Sequence, residues 1–552
     1  MVIFVNVFLF HKHSDKIKNL YIGAILVCIA FLVTYTVYSS MHKFIDADLS
    51  SETLLARECV REKSLVPLGW GYSTEIRLLN TQLISAPLFV FIKSWDSVRA
   101  ITSLISCAVL FFAGWVLMAT VGIKKTWIKF LGATLLSCPW SSLNFYVIGW
   151  GNYYIPHIVL GFLTLTLFIP IMNGSAKNMK RRIILFYVLA FISGLSTIRY
   201  ILIYQFPLTL SMAILSYKRE DKNKSVTLSE LKNYFWDNKT LRISILALFL
   251  SGLGYIFNNV VLHRLYNFSQ WNDVTFNHFG DVPLLKLFST ILKSFGYQEN
   301  LAVFTPSGVI NIFVYIAIVF FVVCMIKALK SGISAEKRLV LVFTICTIAF
   351  NSFLYYHTEF IERYYITILA YMIVCIAIFI DSGNIGVLKR YFVGTAFSLC
   401  VFVSSFTSAQ DYLTRDNNKD IYPVMEFLNK KVAEDKDYSF GYSTFDFANL
   451  ITYFTNEKIQ VATIKKARKY VPELGGKADC LPDKFTKGTW LTPLRYNSSK
   501  HDGKTFLMIS KELYDASCDN KVFTSGKEIF NDGKYIIWEY KSQEIFKSSF
   551  EG

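Results

Sequence analysis

No CxxC pair occurs among the ten cysteines of this chain, and no His/Cys spacing of the metal-binding kind is present. That absence removes a zinc ribbon, a zinc finger and a thioredoxin-like redox motif, and no cofactor is expected. Most cysteines, among them Cys28, Cys107, Cys324, Cys375 and Cys400, lie inside apolar runs, where the thiol acts as a small hydrophobe. Only Cys59, Cys480 and Cys518 fall in polar segments, and Cys480 and Cys518 are a candidate pair in an oxidising compartment. The first apolar run lacks a small-residue cleavage site and is too long for a secretory core, so it reads as a retained anchor. An internal inverted repeat, on which many transporters are built, is also missing.

What is abundant is apolar and aromatic. Of the 552 residues, 53% are hydrophobic and 16% aromatic, with 48 Phe and 32 Tyr. Mean hydropathy is +0.38. A soluble domain of this size needs far less, so the chain is expected to be a polytopic α-helical membrane protein whose first partner is the lipid bilayer. Its 57 Lys and Arg against 40 Asp and Glu give a net charge of +17. The basic residues fall in short loops between apolar runs, as the positive-inside rule produces, so the charge is read as topology and no nucleic-acid partner is expected.

In chain order, His11, Lys12, Lys16 and Lys18 precede a span at Leu20 to Met41, which puts residues 1–19 in the cytoplasm and the following segment, 42–96, outside. The stretch with Trp70, Tyr72, Glu75, Arg77 and the short apolar run Leu83 to Ile92 predicts a helix lying along the membrane surface. Spans follow at Ser97 to Val121 and Ile128 to about Phe145, then an aromatic, Gly-rich turn from Gly149 to His157, then Ile158 to Met172. Ile183 to Leu215 would be about 50 Å long as one helix, which suits two short helices with Arg199 at an outer turn between them. Tyr217 to Arg242 is a basic loop. Further spans are predicted at Ile243 to Leu262, Val309 to Ile326, Leu339 to Tyr356, Tyr364 to Ile380 and Tyr391 to Ser408. The total is about eleven transmembrane helices over residues 20–410, an odd number that places 411–552 outside. That tail mixes helical spacing (Val424, Phe427, Leu428, Val432) with strand-like runs at Thr505 to Ile509 and Lys534 to Tyr540, and predicts a small extracytoplasmic α/β C-terminal domain.

Chemistry concentrates just behind the first span, where Asp46, Asp48 and Glu52 stand at a membrane surface. Acids beside an apolar span need water or a polar partner. If the chain is helical from Leu49, Asp48 and Glu52 share a face. Against a catalytic role for the aspartates stands helix capping by Asp48, and against a ligand role for Glu52 stands a solvated helix face. Three other features of the expected outer side can converge on the acids: Trp150, Tyr153 and His157 in the aromatic turn, Arg199, and Arg363 in the segment His357 to Tyr365. Their alternatives are an aromatic belt, an interfacial histidine, a snorkelling arginine, and a local ion pair of Arg363 with Glu359 or Glu362. Taken together they supply a base, an aromatic wall and cations. Sugar transfer from a lipid-linked donor requires those parts: a carboxylate to take the acceptor's proton and cations to hold the leaving phosphate.

An aspartate in the first outer loop followed by a helix ending Ala56-Arg57-Glu58, with Arg363-Tyr364 opening a late span, resembles the bacterial aminoarabinose transferases and protein mannosyltransferases of the GT-C glycosyltransferases. The likeness extends to the plan of an acidic loop, many spans and an external C-terminal domain. It implies a GT-C-like transmembrane domain in the bacterial cytoplasmic membrane and a polyprenyl-phosphate-linked sugar donor. The acceptor it implies is an extracytoplasmic glycan such as O-antigen or another envelope polymer. Glucose is one candidate sugar. The resemblance makes the loop aspartate the base, favouring Asp48, with Asp46 assisting or replacing it. Arg363 and Arg199 would bind the donor phosphate, while Glu52, Trp150, Tyr153 and His157 would contact sugar or acceptor. The chain departs from the family's frequent Asp-Glu pair, since Leu49 follows Asp48. No metal site is assigned; the three carboxylates leave a metal requirement open. Two other classes remain: a flippase or transporter for a lipid-linked sugar, which needs ionisable groups deep in several spans, and a glycan polymerase or assembly protein.

Overall fold

A computed structural model describes residues 15–137, 141–150, 154–174, 178–216, 238–269, 278, 283–300, 302, 304–358, 362–382, 405–406, 408–469, 479–498, 500–515 and 521–544. Its N-terminal three-quarters are helical: α1 (Asp15–Phe44), α2 (Ala47–Glu62), α3 (Gln82–Leu88), α4 (Trp95–Thr120), α5 (Thr126–Ser137), α6 (Ile155–Met172), α7 (Met179–Ser196), α8 (Ile198–Ser216), α9 (Lys239–Leu265), α10 (Leu284–Ser294), α11 (Pro306–Lys330), α12 (Ala335–His357) and α13 (Glu362–Asp381). Six of these, α4, α6, α8, α9, α12 and α13, are long and apolar enough to cross a membrane among the described residues, and the chain is a multi-pass membrane protein. The expectation of about eleven crossings meets other features elsewhere. In the span predicted from Ile128 to about Phe145, the described residues are helical over Thr126–Ser137 and again over Ser142–Asn144 and Phe145–Gly149. Helix α7 opens with Lys180, Arg181 and Arg182. The span predicted at Tyr391 to Ser408 lies almost wholly outside the described residues.

The run from Ile183 to Leu215 is divided as its length required. Helix α7 stops at Ser196, Thr197 is extended, and α8 restarts with the Thr197 hydroxyl accepting the Arg199 N–H. Helices α7 and α9 pack through small residues. A Cβ on Gly194 would strike the carbonyl of Ser251, and one on Gly254 the carbonyl of Phe191. Apolar lipid offers no hydrophobic gain for helix association, so this close backbone approach is what holds the pair.

The C-terminal part begins with α14 (Tyr422–Glu434) and builds a six-stranded sheet from β3 (Phe440–Thr444), β4 (Gln460–Lys469), β5 (Asp479–Lys487), β6 (Thr505–Ser510), β7 (Lys527–Asn531) and β8 (Tyr535–Tyr540). The order is β5-β4-β3-β6-β8-β7. β3 is parallel to both β4 and β6, while β5, β7 and β8 pair antiparallel. Helix α15 (Phe445–Phe454) makes the β3-to-β4 crossover. A separate two-stranded parallel ladder joins β1 (Gly71–Tyr72) to β2 (Asn267–Phe268).

This sheet does not hang free. One apolar core runs from Val37, Met41 and Phe44 through Leu49 and Leu54 to Val424, Leu450, Ile451 and Leu507. Along its rim the Asn418 amide donates to the carbonyls of His42 and Ile45 at 3.0 and 2.8 Å, and Gly71 N–H donates to Thr492 O at 3.0 Å. An ionic clasp closes the far side: Glu58, 2% exposed, meets Arg61 at 2.8 Å and Arg495 at 3.1 Å. Glu457 binds both of those arginines and lies 3.5 Å from Arg57. Glu457→Ala is expected to weaken the docking by about 1.5–3 kcal/mol, the worth of a hydrogen bond to a charged group. Faster proteolytic cleavage between 408 and 421 with the helical part intact would report it.

Candidate functional site

The acidic stretch folds around one short residue. Asp46 has extended backbone, and its Oδ1 accepts the N–H of Leu49 at 2.8 Å, so Asp46 and not Asp48 caps α2. The helix therefore starts two residues before Leu49, and capping is met without Asp48. The second carboxylate oxygen of Asp46 accepts the Tyr146 hydroxyl at 2.8 Å. Burial, and next the charge of Asp48, push the Asp46 pKa up to about 6. Its raised pKa means that the folded chain prefers the protonated acid. The stability this contributes is fully present below the ordinary value of 3.8 and lost as pH rises through about 6. Asp46→Asn keeps a capping oxygen, so its melting temperature should match wild type in acid and exceed it at pH 8 (pH-dependent thermal denaturation); equal values at both ends would remove the argument.

Asp48, with its side chain 25% exposed, looks toward Arg363, whose Nη1 lies 3.8 Å from its carboxylate. The two are 315 positions apart in sequence, brought together because α13 opens with a tight turn over Glu362–Tyr365 beside α2. Arg363 also stands 5.9 Å from the centroid of the Tyr154 ring. From the other side Arg199 donates to the hydroxyls of Tyr154 and Tyr364, at 2.9 and 3.1 Å, and its guanidinium lies 4.3 Å from the centre of the Tyr364 ring. Two guanidiniums thus share one tyrosine, a cationic corner with rigid aromatic walls.

Three cavities meet around Asp46 and Asp48 or extend from them. The largest, about 500 Å³, lies between the α1–α2 corner and the C-terminal domain and is lined by Asp46, Asp48, Tyr146, Trp150, Tyr412, Arg415, Phe445 and Asp446. A narrow one of about 30 Å³ runs from Asp48 past Trp70 to Glu75, Arg77 and Asn80. A third, about 10 Å³, shares Glu75, Arg77 and Asn80 and ends at His157, Thr197 and Arg199. Arg77 has φ 51°, the left-handed region that a long side chain seldom occupies, and its N–H is tied to Ser196 O. Among the described residues no group of three His, Cys, Asp or Glu is arranged to hold a metal ion.

The expected site residues divide. Asp46, Asp48 and Arg363 come together, and Arg199 joins them through Tyr154. Glu52 does not lie on a solvated face. It is 6% exposed and paired at 2.8 Å with Arg99, and it lines the narrow cavity together with Asp48. Trp150 is no belt residue: it is 1% exposed, stacked on Phe44 at 4.9 Å and edge-on to Tyr412, yet it lines the large cavity. His157 is buried between Tyr154 and Tyr200, on the Arg199 side and away from the large cavity. Arg363 is not confined to a local pair, since it reaches Asp48. Tyr153, Glu359 and Cys518 lie outside the described residues.

Sequence reasoning missed Tyr146, Arg77 and Asp446. Arg77 had a signal, being charged between interfacial aromatics and a short apolar run. For Tyr146 and Asp446 nothing in the local pattern pointed to Asp46 and Asp48.

No protein-family model matches the chain, and no curated protein matches it in sequence. Solved structures do resemble it. The crystal structure of ArnT from Cupriavidus metallidurans in the apo state matches with a TM-score of 0.59 at 8% identity, over 98% of this chain and 100% of that one. The same protein bound to undecaprenyl phosphate gives 0.54 at 9% identity over 95% and 98%. The archaeal oligosaccharyltransferase AglB from Archaeoglobus fulgidus, in complex with an inhibitory peptide and a dolichol-phosphate, gives 0.45 at 12% identity over 90% and 70%. Near-complete mutual coverage gives this chain the overall fold of the ArnT structures.

Proposed function

We propose that the protein transfers a sugar from a polyprenyl phosphate to a glycan on the extracytoplasmic side of the membrane. The observation that carries this is the junction of Asp48 with Arg363, 3.8 Å apart at the mouth of a large cavity, with Arg199 one tyrosine behind. The fold shared with a protein solved bound to undecaprenyl phosphate supports a lipid-linked donor.

In this reading the prenyl tail stays in the bilayer, and the phosphate lies against Arg363 and Arg199, with Arg77 at the end of the narrow cavity beside them. The acceptor hydroxyl attacks the anomeric carbon while its proton passes to Asp48. The bond from that carbon to the phosphate oxygen breaks, and polyprenyl phosphate leaves with the bonding pair, its charge held by the arginines. Direct attack inverts the anomeric carbon. The first helix then enters from a cytoplasmic N-terminus, about eleven spans fill residues 20–410, and the sheet domain stands outside over the site.

The test is loss of the chain in its host. A polyprenyl-phosphate sugar should accumulate in the lipid extract while a surface glycan loses the mass of one sugar, both read by mass spectrometry; no change in either refutes the reading. Arg363→Ala should lower kcat/KM for the lipid donor by about 10²–10³-fold, the usual worth of one group aimed at developing charge, with acceptor KM little altered in steady-state assays.

A further inference from the structure

The large cavity has a charge imbalance that bears on what enters it. Asp46, Asp48 and Asp446 line it with Arg415, which is itself 3.6 Å from Asp411, while Arg363 stands 3.8 Å from Asp48. Asp446 stands in the first turn of α15, just beyond the carboxyl end of β3, and opens to the cavity. That end of β3 is where the strand order reverses, with β4 on one side and β6 on the other, both parallel to it, the position at which open α/β sheets place ligands. Burial and the charge of Asp48 both raise the Asp446 pKa, so the two carboxylates feel one another across the space.

A second observation comes from Trp150, which lines the same cavity. The indole N–H of Trp150, 1% exposed, has no hydrogen-bond partner among the described residues, although a buried donor normally finds one. Phe445 and Tyr412 add ring faces to the same cavity. Carboxylates that accept, a donor that waits for an acceptor, and aromatic faces match a sugar ring: hydroxyl groups at its rim and an apolar face of C–H bonds.

We infer that the cavity takes an uncharged acceptor sugar, with Asp446 of the C-terminal domain and the Trp150 indole N–H orienting its hydroxyls, and that it rejects acceptors bearing phosphate or carboxylate. The inference rests on the transfer reading above and adds to it the class of acceptor. An anionic sugar would set its charge beside Asp48 and Asp446, with Arg363 and Arg415 already engaged by Asp48 and Asp411, and like charges set together in an interface are strongly disfavoured. The domain over the membrane site is then a selector, contributing a binding residue as well as a roof.

The experiment uses the full chain in nanodiscs with three neutral trisaccharides, maltotriose, mannotriose and chitotriose, and the anionic trigalacturonate, followed by saturation-transfer NMR. Undecaprenyl phosphate binding is measured on the same samples. At least one neutral trisaccharide should bind and trigalacturonate should not. Asp446→Asn should weaken the neutral sugar about 10- to 100-fold, the range for a hydrogen bond to a charged group, and Asp446→Glu should restore most of it. Asp446→Lys should admit trigalacturonate. Binding of trigalacturonate by wild type, failure of all three neutral sugars, or indifference to Asp446→Asn overturns the inference. If undecaprenyl phosphate binds throughout, the lipid-donor reading survives such a result. If it fails to bind wild type, that reading falls first.

Discussion

Asp48→Asn is expected to lower transfer by about 10²–10⁴-fold, the range lost with a general base, while leaving the purified protein folded and able to bind undecaprenyl phosphate. Asparagine preserves the shape and cannot take the acceptor's proton. The paired change at Asp46 should behave otherwise. Both oxygens of Asp46 are engaged, one by the Leu49 N–H and one by the Tyr146 hydroxyl, so Asp46→Asn should keep most of the turnover and act on stability instead. Single-turnover rates with a lipid-linked donor separate the two. A large loss at Asp46 with little at Asp48 would exchange their roles, and loss at neither would remove the acidic corner from the chemistry.

How much of this could be read in advance depends on how local each feature is. Spans at Ile158 to Met172, Leu339 to Tyr356 and Tyr364 to Ile380 are local apolar runs, and the helices there, Ile155–Met172, Ala335–His357 and Glu362–Asp381, follow them closely. The break at Thr197 was legible for the same reason, since the length of one apolar run demanded it. Strands at Thr505–Ser510 and Tyr535–Tyr540 answer to alternating or β-branched runs. Asp46 and Asp48 stood out because acids beside an apolar span are costly. The role of each did not. Which aspartate caps depends on where the helix starts, a difference of two residues that periodicity cannot fix. Trp150 and Glu52 were placed at surfaces because their partners, Phe44, Tyr412 and Arg99, are remote in sequence. Asp446 reaches the site only through the docking of a domain some 400 residues downstream, and no spacing encodes that.

Arg99→Leu should be the most damaging single change outside the cavity. Arg99 is 1% exposed on α4 and Glu52, on α2, nearly as deep, with Nη1 to Oε2 at 2.8 Å; Thr81 donates to the same oxygen at 3.2 Å. Removing the arginine strands a carboxylate in the interior, and breaking one half of a buried pair costs about 3–5 kcal/mol. Substituting both, as Glu52→Leu with Arg99→Leu, removes the stranded charge and should recover most of the loss, since a buried pair is near break-even against apolar residues of similar size. Monomer remaining after heating in detergent, read by size exclusion, orders the three proteins: wild type and double variant close together, single variant far below. The same pair fixes α2 against α4 one turn beyond Asp48, so it also sets the direction of the base. If aim matters, the double variant will regain its stability and not its turnover, because two leucines restore the packing but leave the angle of α2 unspecified. If turnover returns in full, the Leu49–Leu54 core alone orients the helix, and Glu52–Arg99 is a stability element with no part in the chemistry.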